Sequence, residues 1–234
     1  MKAECPALSI IIPALNEAHS IAATLDAVKE VRGCVEVIVV DGGSRDGTLE
    51  ILRSRRGGVQ VIESERGRGL QMHAGASRAQ GEVLWFLHAD TIPAAEAGER
   101  ISEALRDASV VGGNFRVRFE GASKAARFLT WLYPHLRKLG LCYGDSGIFV
   151  RRDVYRRIGG FKPFPIFEDL ELVRQLRRVG RMAHVQATVT TSSRRFEGRS
   201  FALTFARWSM LQMLYWIGIH PRRLGRMYKP RDEG

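Results

Sequence analysis

Short runs of consecutive apolar residues alternate with helix-like spacing along the first half of the chain. The runs are rich in β-branched and aromatic residues, as buried strands are. The predicted strands are residues 8–12, 35–40, 59–62 and 83–87. After the first of them, Ile21, Leu25 and Val28 repeat close to every 3.6 residues, which predicts a helix with one buried face. This β-α alternation predicts a mostly parallel central sheet with helices on both faces, an α/β fold.

The pattern loosens after Asp90. Alternating positions predict a strand at residues 110–119, and a glycine-rich turn leads into another strand near residues 143–150. The other expected elements are helices at 94–108, 122–139 and 169–179 and a strand at 183–191. We interpret residues 1–199 as one catalytic-type domain whose second half is less regular than its first.

Residues 200–234 form a different kind of segment. Residues 200–219 are strongly apolar, but Arg207 lies in the middle, at roughly 2.5–3.5 kcal/mol on the membrane-insertion scale. Two interpretations therefore compete about equally: a helix packed on the core, or a helix lying on an anionic bilayer with its arginines on the headgroups. A transmembrane helix is a distant third interpretation. We predict that residues 200–234 form a C-terminal helical extension, for which an anionic membrane surface is a candidate partner.

Charge narrows the choice of partners. The formal charge is +11 with a sequence pI near 10.2, which favours phosphate-bearing ligands: nucleotide, anionic lipid or nucleic acid. The three cysteines are far apart, so neither a zinc site nor a disulfide framework is indicated. The first apolar run is short for a signal peptide and meets Asn16-Glu17 instead of a cleavage site. We expect a cytoplasmic protein, with peripheral contact to the inner face of the membrane as the alternative.

Polar residues follow three of the predicted strands. Asn16 and Glu17 follow the first, the glycine-rich stretch from Asp41 to Thr48 the second, and His88 and Asp90 the fourth. Because the carboxyl ends of parallel strands share one edge, these groups could together bind a base, a ribose or a metal. Each stretch alone is equally typical of an ordinary turn or helix cap.

Two further stretches have alternative interpretations. Arg68 lies among glycines at a predicted helix start, which fits phosphate contact or a solvated turn. Glu168 and Asp169 begin another helix, where acidic residues are common for structural reasons and where a general base could also lie. On spacing alone the structural interpretation of this pair is favoured.

Taken in order, four motifs resemble those of family 2 glycosyltransferases of the GT-A fold, over about residues 9–179. The motifs are Ile10-Ile11-Ile12-Pro13-Ala14-Leu15-Asn16-Glu17, Val39-Val40-Asp41-Gly42-Gly43-Ser44-Arg45-Asp46-Gly47-Thr48, Leu87-His88-Ala89-Asp90-Thr91 and Phe167-Glu168-Asp169. Residues 67–72 and 144–152 further resemble a bacterial subgroup often labelled as glycosyltransferases of arsenosugar biosynthesis.

The resemblance implies an inverting transfer of a sugar from a UDP- or GDP-linked donor to a hydroxyl acceptor, with Mg²⁺ or Mn²⁺. Asp169, with Glu168 before it, matches the pair whose aspartate is the catalytic base. Asp90 matches the last acid of the D-x-D metal motif. The candidate nucleotide-sugar contacts are Pro13, Asn16, Glu17, Asp41, Gly43, Ser44, Arg68, Gln71, His88 and Asp90. Tyr143 and Asp145 are candidates for the acceptor side, and a lipid-linked acceptor is one expected partner.

The chain departs from the family at His88, where an aspartate is usual. A neutral imidazole can ligate Mn²⁺, but it suits Mg²⁺ less well than a carboxylate does. His88 could equally contact the ribose and leave the metal to Asp90. The Q-x-x-R-W motif of processive synthases is not found at residues 191–196, so we expect a single transfer per encounter.

Two other functions compete with glycosyl transfer. A nucleotidyltransferase would usually carry its basic glycine loop directly after the first strand, where this chain has Pro13 to Glu17. A nucleic-acid-binding protein would explain the charge. However, the acids gather at the predicted site, while residues 194–234 hold nine Lys or Arg against three Asp or Glu around an apolar helix. We therefore expect no nucleic-acid partner.

Overall fold

The computed structural model describes residues 7–55, 58–138, 141–194 and 200–227. The strands are β1 (Leu8–Ala14), β2 (Val35–Asp41), β3 (Val59–Glu63), β4 (Val83–Phe86), β5 (Thr91–Pro93), β6 (Val110–Phe119), β7 (Ile148–Arg151) and β8 (Arg181–Thr191). The helices are α1 (Ile21–Lys29), α2 (Thr48–Ser54), α3 (Arg68–Arg78), α4 (Ala97–Ala104), α5 (Lys124–Lys138), α6 (Arg152–Arg157), α7 (Glu168–Val179), α8 (Phe201–Trp216) and α9 (Pro221–Met227). A 3₁₀ turn, Gly144–Ser146, precedes β7.

The eight strands form one sheet in the order β3-β2-β1-β4-β7-β6-β8-β5. The first four are parallel, as the β-α alternation predicts. Beyond them β7 lies antiparallel between β4 and β6, and β8 is parallel to β6 but antiparallel to β5. The sheet is therefore parallel in its first half and mixed in its second.

Both faces of the sheet are buried, because successive residues of a strand point to opposite sides. In β1, Ile10 and Ile12 belong to one apolar cluster, with residues of α1, α4 and α5. Ile11 belongs to the other, with residues of α3, α6 and α7. The continuous apolar runs in the sequence follow from this two-sided burial.

A third apolar cluster lies at the end of the sheet that carries the predicted acceptor side. It joins Tyr143, Phe167 and Leu170 to Leu211 of α8 and Leu224 of α9. One side of the C-terminal segment thus packs on the rest of the protein. The predicted division between residues 199 and 200 borders residues 195–199, which lie outside the described ranges, and it stays a prediction.

Sequence boundaries differ from the structure in several places. The helix expected at 94–108 is shorter, Ala97–Ala104, and the residues before it, Thr91–Pro93, form the unpredicted strand β5 on the edge of the sheet. Helices α6 and α9 were not predicted from the sequence, because six or seven residues give too short a periodic pattern. The other predicted elements lie where expected, within a few residues.

Candidate active site

The loops that follow β1, β2 and β4 meet at one edge of the sheet. Ala14 at the end of β1 is in register with Asp41 at the end of β2. On the other side of β1, Phe86 at the end of β4 is in register with Ile11. The shared edge predicted from the sequence is therefore present, at the carboxyl ends of parallel strands.

Hydrogen bonds join the loop after β1 to the loop after β2. The backbone N–H of Asn16 donates to Ser44 Oγ at 3.0 Å, and Asn16 Oδ1 accepts from the N–H of Arg45 at 2.9 Å. The N–H of Glu17 donates to Thr48 Oγ1 at 2.9 Å. Asn16 has a φ of 54°, a left-handed conformation that asparagine adopts more readily than most residues. These contacts hold the rim in one shape before any ligand arrives.

Asp41 organises the second loop from inside. Its side chain is fully buried, and Oδ2 accepts from the N–H groups of Gly43 at 2.8 Å and Ser44 at 3.0 Å. The Ser44 hydroxyl donates to Oδ1. Pro13, one residue before the end of β1, lies opposite Val40. Asp41, a predicted nucleotide-sugar contact, is thus held by the turn that it precedes.

Gln71 braces the ends of β1 and β2. Its Nε2 donates to the carbonyl oxygens of Ala14 at 2.8 Å and Val40 at 2.9 Å, and the side chain is buried. Gly42 approaches it so closely that a β-carbon there would lie 3.0 Å from the Gln71 amide. Gln71 thus holds together the two strand ends from which the loops of the predicted donor side extend.

The 3₁₀ turn places Gly144 against both His88 and Asp169. The Gly144 N–H donates to Asp169 Oδ2 at 2.6 Å. A β-carbon at Gly144 would lie 2.7 Å from His88 Nε2 and 3.4 Å from Asp169 Oδ2. Only glycine therefore fits between the two side chains without displacing one of them.

His88 is held by a carboxylate on its other nitrogen. Its Nδ1 lies 3.0 Å from Asp145 Oδ1, while Asp145 Oδ2 accepts from Tyr133 Oη at 3.1 Å. His88 Nε2 is buried, and among the described residues it has no hydrogen-bond partner. The imidazole thus faces Gly144 and the Asp169 side of the site.

Asp169 is a buried carboxylate with a perturbed pKa. Burial raises its pKa to about 6, and the charge of Glu168 adds to the effect, while the bond from Gly144 and the charge of Arg68 oppose it. Glu168 Oε1 lies 3.5 Å from the Arg68 guanidinium. Arg68, predicted as a donor contact, is therefore next to the acidic pair at the start of α7.

Phe167 fixes the entry into α7. Its φ of 63° is left-handed, which is unusual for a bulky residue. Its ring is buried against Tyr215 of α8, with centroids 5.0 Å apart. Backbone strain of this kind persists only where packing holds it. The packed Phe167 thus fixes the backbone directly before Glu168 and Asp169.

Asp90 lies on the donor side of the edge, among other charges. Burial raises its pKa, Asp145 and Glu17 add to the effect, and His88 and Arg194 oppose it. Arg194 lies 3.9 Å from Asp90 Oδ2 and 3.1 Å from Glu17 Oε2. The loop after β8 thus contributes a guanidinium beside the predicted metal ligand.

Arg194 was not among the predicted site residues. It reaches the site because β8 pairs with β5, where Thr91 is in register with Thr191 and Ser192 donates its N–H to the carbonyl of Asp90. That pairing joins residues a hundred positions apart. No local pattern in the sequence indicates it.

A divalent metal fits at Asp90 better than at His88. Across the described ranges, no three His, Cys, Asp or Glu side chains are arranged to hold a metal ion. Mg²⁺ and similar ions are often held by one or two carboxylates and the phosphates of a substrate, which Asp90 and a bound diphosphate could supply. His88 Nδ1 is taken by Asp145, and Nε2 is buried against Gly144.

Helix α8 covers Tyr143 on the predicted acceptor side. Tyr143 is buried, with its ring 4.8 Å from that of Trp208 and its hydroxyl 3.4 Å from Gln212 Oε1. Gln212 is itself buried, and within the described part of the chain its Nε2 has no partner. Gln212 is a second residue near the site that the sequence did not indicate.

Comparison with known proteins identifies the family. Residues 9–158 match the family described as "Glycosyl transferase family 2". The chain belongs to this family. It is 30% identical to glycosyltransferase AglE of Haloferax volcanii over 179 residues, which is 70% of this chain and 58% of that protein. It is 32% identical to a PGL/p-HBAD biosynthesis glycosyltransferase of Mycobacterium bovis over 171 residues, 67% of this chain and 63% of that protein.

Solved structures share the fold of this family 2 member. The mannosyltransferase PcManGT from Pyrobaculum calidifontis, in complex with GDP-Man and Mn²⁺, matches with a TM-score of 0.70 at 20% identity. The match covers 96% of this chain and 69% of that one. Glucosyl-3-phosphoglycerate synthase from Mycobacterium tuberculosis, with Mn²⁺, UDP and glucosyl-3-phosphoglycerate, matches at 0.64 and 21%, covering 94% and 82%.

These findings confirm the predicted GT-A-like α/β fold and the predicted membership of a glycosyltransferase family. They favour glycosyl transfer over the nucleotidyltransferase and nucleic-acid-binding alternatives. The chain spans about three fifths of the length of the two relatives named above. Among the described residues, no helix is both long enough and apolar enough to cross a bilayer.

Proposed function

We propose that this protein transfers one sugar, from a UDP- or GDP-linked donor to an acceptor hydroxyl, with inversion at the anomeric carbon. The observation that carries the proposal is the buried Asp169 carboxylate, held by the Gly144 N–H at the junction of the donor and acceptor sides. A hexose is the expected sugar. The narrower assignment to the arsenosugar-biosynthesis subgroup stays a prediction.

Asp169 is the proposed general base. With a pKa raised by burial to about 6, the carboxylate is ionised at neutral pH but more basic than an exposed aspartate. A base nearer in pKa to its operating pH removes a proton from a hydroxyl more effectively. Arg68 holds the adjacent Glu168 at 3.5 Å and so limits the repulsion between the two acids.

On the donor side, Arg194 and Asp90 are the proposed diphosphate and metal residues. A bound Mg²⁺ or Mn²⁺ on Asp90 would offset the charge that develops on the leaving diphosphate. The guanidinium of Arg194, beside Asp90 and Glu17, is placed to meet the same negative charge. The loops after β1 and β2 would hold the nucleoside, with Asn16, Glu17 and Asp41 as the predicted contacts.

The acceptor stays the less defined partner. Tyr143 and Asp145 are proposed to face it, since both lie next to Gly144 in the turn that contacts Asp169. We further propose that the acceptor is lipid-linked and that the protein works peripherally at the inner, cytoplasmic face of a membrane.

A thermal-shift screen of nucleotide sugars with Mn²⁺ and Mg²⁺ tests the proposal. A ligand at a hundred times its Kd stabilises a protein by about 2.7 kcal/mol, which corresponds to roughly 5–10 °C for a chain of this size. We expect metal-dependent stabilisation by UDP or GDP sugars that Asp90→Ala reduces. If neither nucleotide class stabilises the protein with either metal, the proposed function is wrong.

A further inference from the structure

Helix α8 is mostly apolar, with Thr204, Arg207, Ser209 and Gln212 as its polar residues, yet it is buried on one side only. Leu211 and Gln212 are its buried residues. Leu203, Met210 and Met213, together with Ile217 just after the helix, are 72%, 41%, 57% and 76% exposed. At 100° per residue these four fall on one side of the helix, away from the side that carries Leu211 and Gln212. Large apolar side chains that are exposed to solvent along one side of a helix are typical of an interaction surface.

Exposed apolar residues also occur on α5, which lies beside α8. Phe128 and Trp131 are 39% and 60% exposed, and their rings lie 5.9 Å apart. The Phe128 ring contacts Phe201 and Phe205 of α8, each at 5.8 Å, and these two residues lie on the same side of α8 as Gln212. We call the exposed apolar side chains of α8 and α5 together the outer apolar face. Its members are Phe128, Trp131, Leu203, Met210, Met213, Trp216 and Ile217.

The charged side chains of the two helices that carry this face, α5 and α8, and of the neighbouring α9 are all basic. Helices α5, α8 and α9 contain eight Lys or Arg residues and no Asp or Glu. Several of the basic side chains are exposed, including Arg127, Arg207, Arg222, Arg223 and Arg226. Exposed tryptophans and aliphatic side chains beside arginines are the composition of a helix that lies in the headgroup region of an anionic bilayer.

Other occupants fit this face less well. A second copy of the chain would bring the same arginines against one another, since a twofold interface pairs a patch with itself. A nucleic acid would bind the arginines but leave the large apolar side chains in water. An anionic lipid surface matches both features at once.

We propose that the outer apolar face docks on an anionic membrane surface. The inward side of α8 contacts the candidate active site, through Trp208 on Tyr143 and through Tyr215, whose hydroxyl donates to Glu171 Oε2 at 3.3 Å. Docking would therefore hold the acceptor side beside the headgroups, where the hydroxyl of a lipid-linked acceptor lies. This last consequence rests on the proposed function, whereas the docking itself does not.

Flotation of the full chain with vesicles tests the docking. We expect binding to vesicles of phosphatidylcholine mixed with phosphatidylglycerol, weak binding to phosphatidylcholine alone, and a decrease at high salt. Trp216→Ser with Ile217→Ser should lower the affinity at least tenfold. Val179→Ser is the matched control, an apolar side chain of α7 that is 43% exposed and outside the face. Arg222→Glu with Arg223→Glu should also lower it tenfold, and Arg156→Glu with Arg157→Glu on α6 should not.

Tryptophan fluorescence with brominated lipids gives a second readout. Trp131 and Trp216 lie on the face, whereas Trp85 is fully buried in the sheet. Quenching should therefore fall when Trp131 and Trp216 are replaced by phenylalanine. Quenching that persists in this variant would contradict the proposed orientation.

Two results would overturn the proposal. One is an intact protein that stays unbound at every content of anionic lipid. The other is a face variant that turns a dimer into a monomer in sedimentation and leaves vesicle binding unchanged, which would assign the face to a second copy. Nucleotide-dependent thermal stabilisation, measured without vesicles, separates either failure from a failure of the proposed function.

Discussion

The donor side of the site is held by hydrogen bonds between loops, whereas the acceptor side is closed by aromatic packing from distant helices. Asn16 and Ser44 connect two neighbouring strand ends, and Gln71 braces those ends from below. Tyr143 instead packs on Trp208, from a helix more than fifty residues later. The first arrangement suits a ligand of fixed shape, such as a nucleotide. The second makes the proposed acceptor side depend on a helix that is remote in sequence from the strands.

The largest expected effect separates catalysis from donor binding. Asp169→Asn keeps the side-chain shape but removes the base, so release of UDP or GDP from a nucleotide sugar, with water as acceptor, should fall about 10²–10⁴-fold. Glu171→Gln, in the same helix but bonded to Arg174 and Tyr215, is the control and should keep most of the activity. Normal turnover in the Asp169 variant would contradict the base assignment.

A smaller effect is expected for the metal residue. Asp90→Ala should weaken binding of UDP or GDP about 10–100-fold with Mn²⁺ and much less with EDTA, because it removes the carboxylate that would hold the ion. Asp153→Ala on the exposed side of α6 is the control. Calorimetry that gives equal nucleotide affinity with and without Mn²⁺ in the unmodified protein would rule out this role for Asp90.

The pH dependence of turnover should reflect Asp169. Its pKa is raised to about 6, so the carboxylate is protonated, and inactive as a base, below that pH. Turnover should therefore be level above the pKa and fall about tenfold per pH unit below it. A profile in which turnover falls only near pH 4, as for an exposed aspartate, would indicate a different base.

The smallest effect concerns the donor rim. Asn16→Ala removes the Arg45 bond to Oδ1 and raises the cost of the left-handed backbone, so we expect a loss of about 1–2 kcal/mol in the free energy of unfolding. Chemical denaturation measures it, with Ser54→Ala as the control in an exposed helix end. Nucleotide affinity should fall with it. An unchanged affinity would show that the rim is not shaped by this residue.

The grouping of three strand ends at one edge of the sheet could be predicted because the pattern that indicates it is local. A strand buried on both faces is a continuous apolar run, and parallel strands that follow one another bring their ends to one edge, so Asn16, Asp41 and Asp90 could be grouped without a structure. The positions of Gly144, on the proposed acceptor side, and of Arg194, on the proposed donor side, depend on long-range pairing. The antiparallel insertion of β7, the three-residue β5 and the β5–β8 register together bring Gly144 and Arg194 to the site. None of these three features produces a periodic pattern of residues in the sequence.

The sequence also left the environment of His88 open. Its replacement of the usual aspartate raised the question of metal ligation. In the structure the imidazole is bound to Asp145 and faces Gly144, which favours the interpretation that Asp90 serves the metal alone. Metal ligation by His88 was one of two alternatives and stays a prediction. The place of Gln212 was not predictable either, since its burial beside Tyr143 depends on how α8 packs.

Calorimetric titration of nucleotide into Asp90→Ala and Asp169→Asn, side by side and with Mn²⁺, tests the division into two sides most directly. We predict that the Asp90 variant loses most of its metal-dependent affinity, while the Asp169 variant binds UDP or GDP as the unmodified protein does and fails to release it from a nucleotide sugar. Donor affinity lost in the Asp169 variant and kept in the Asp90 variant would contradict the assignment of both residues.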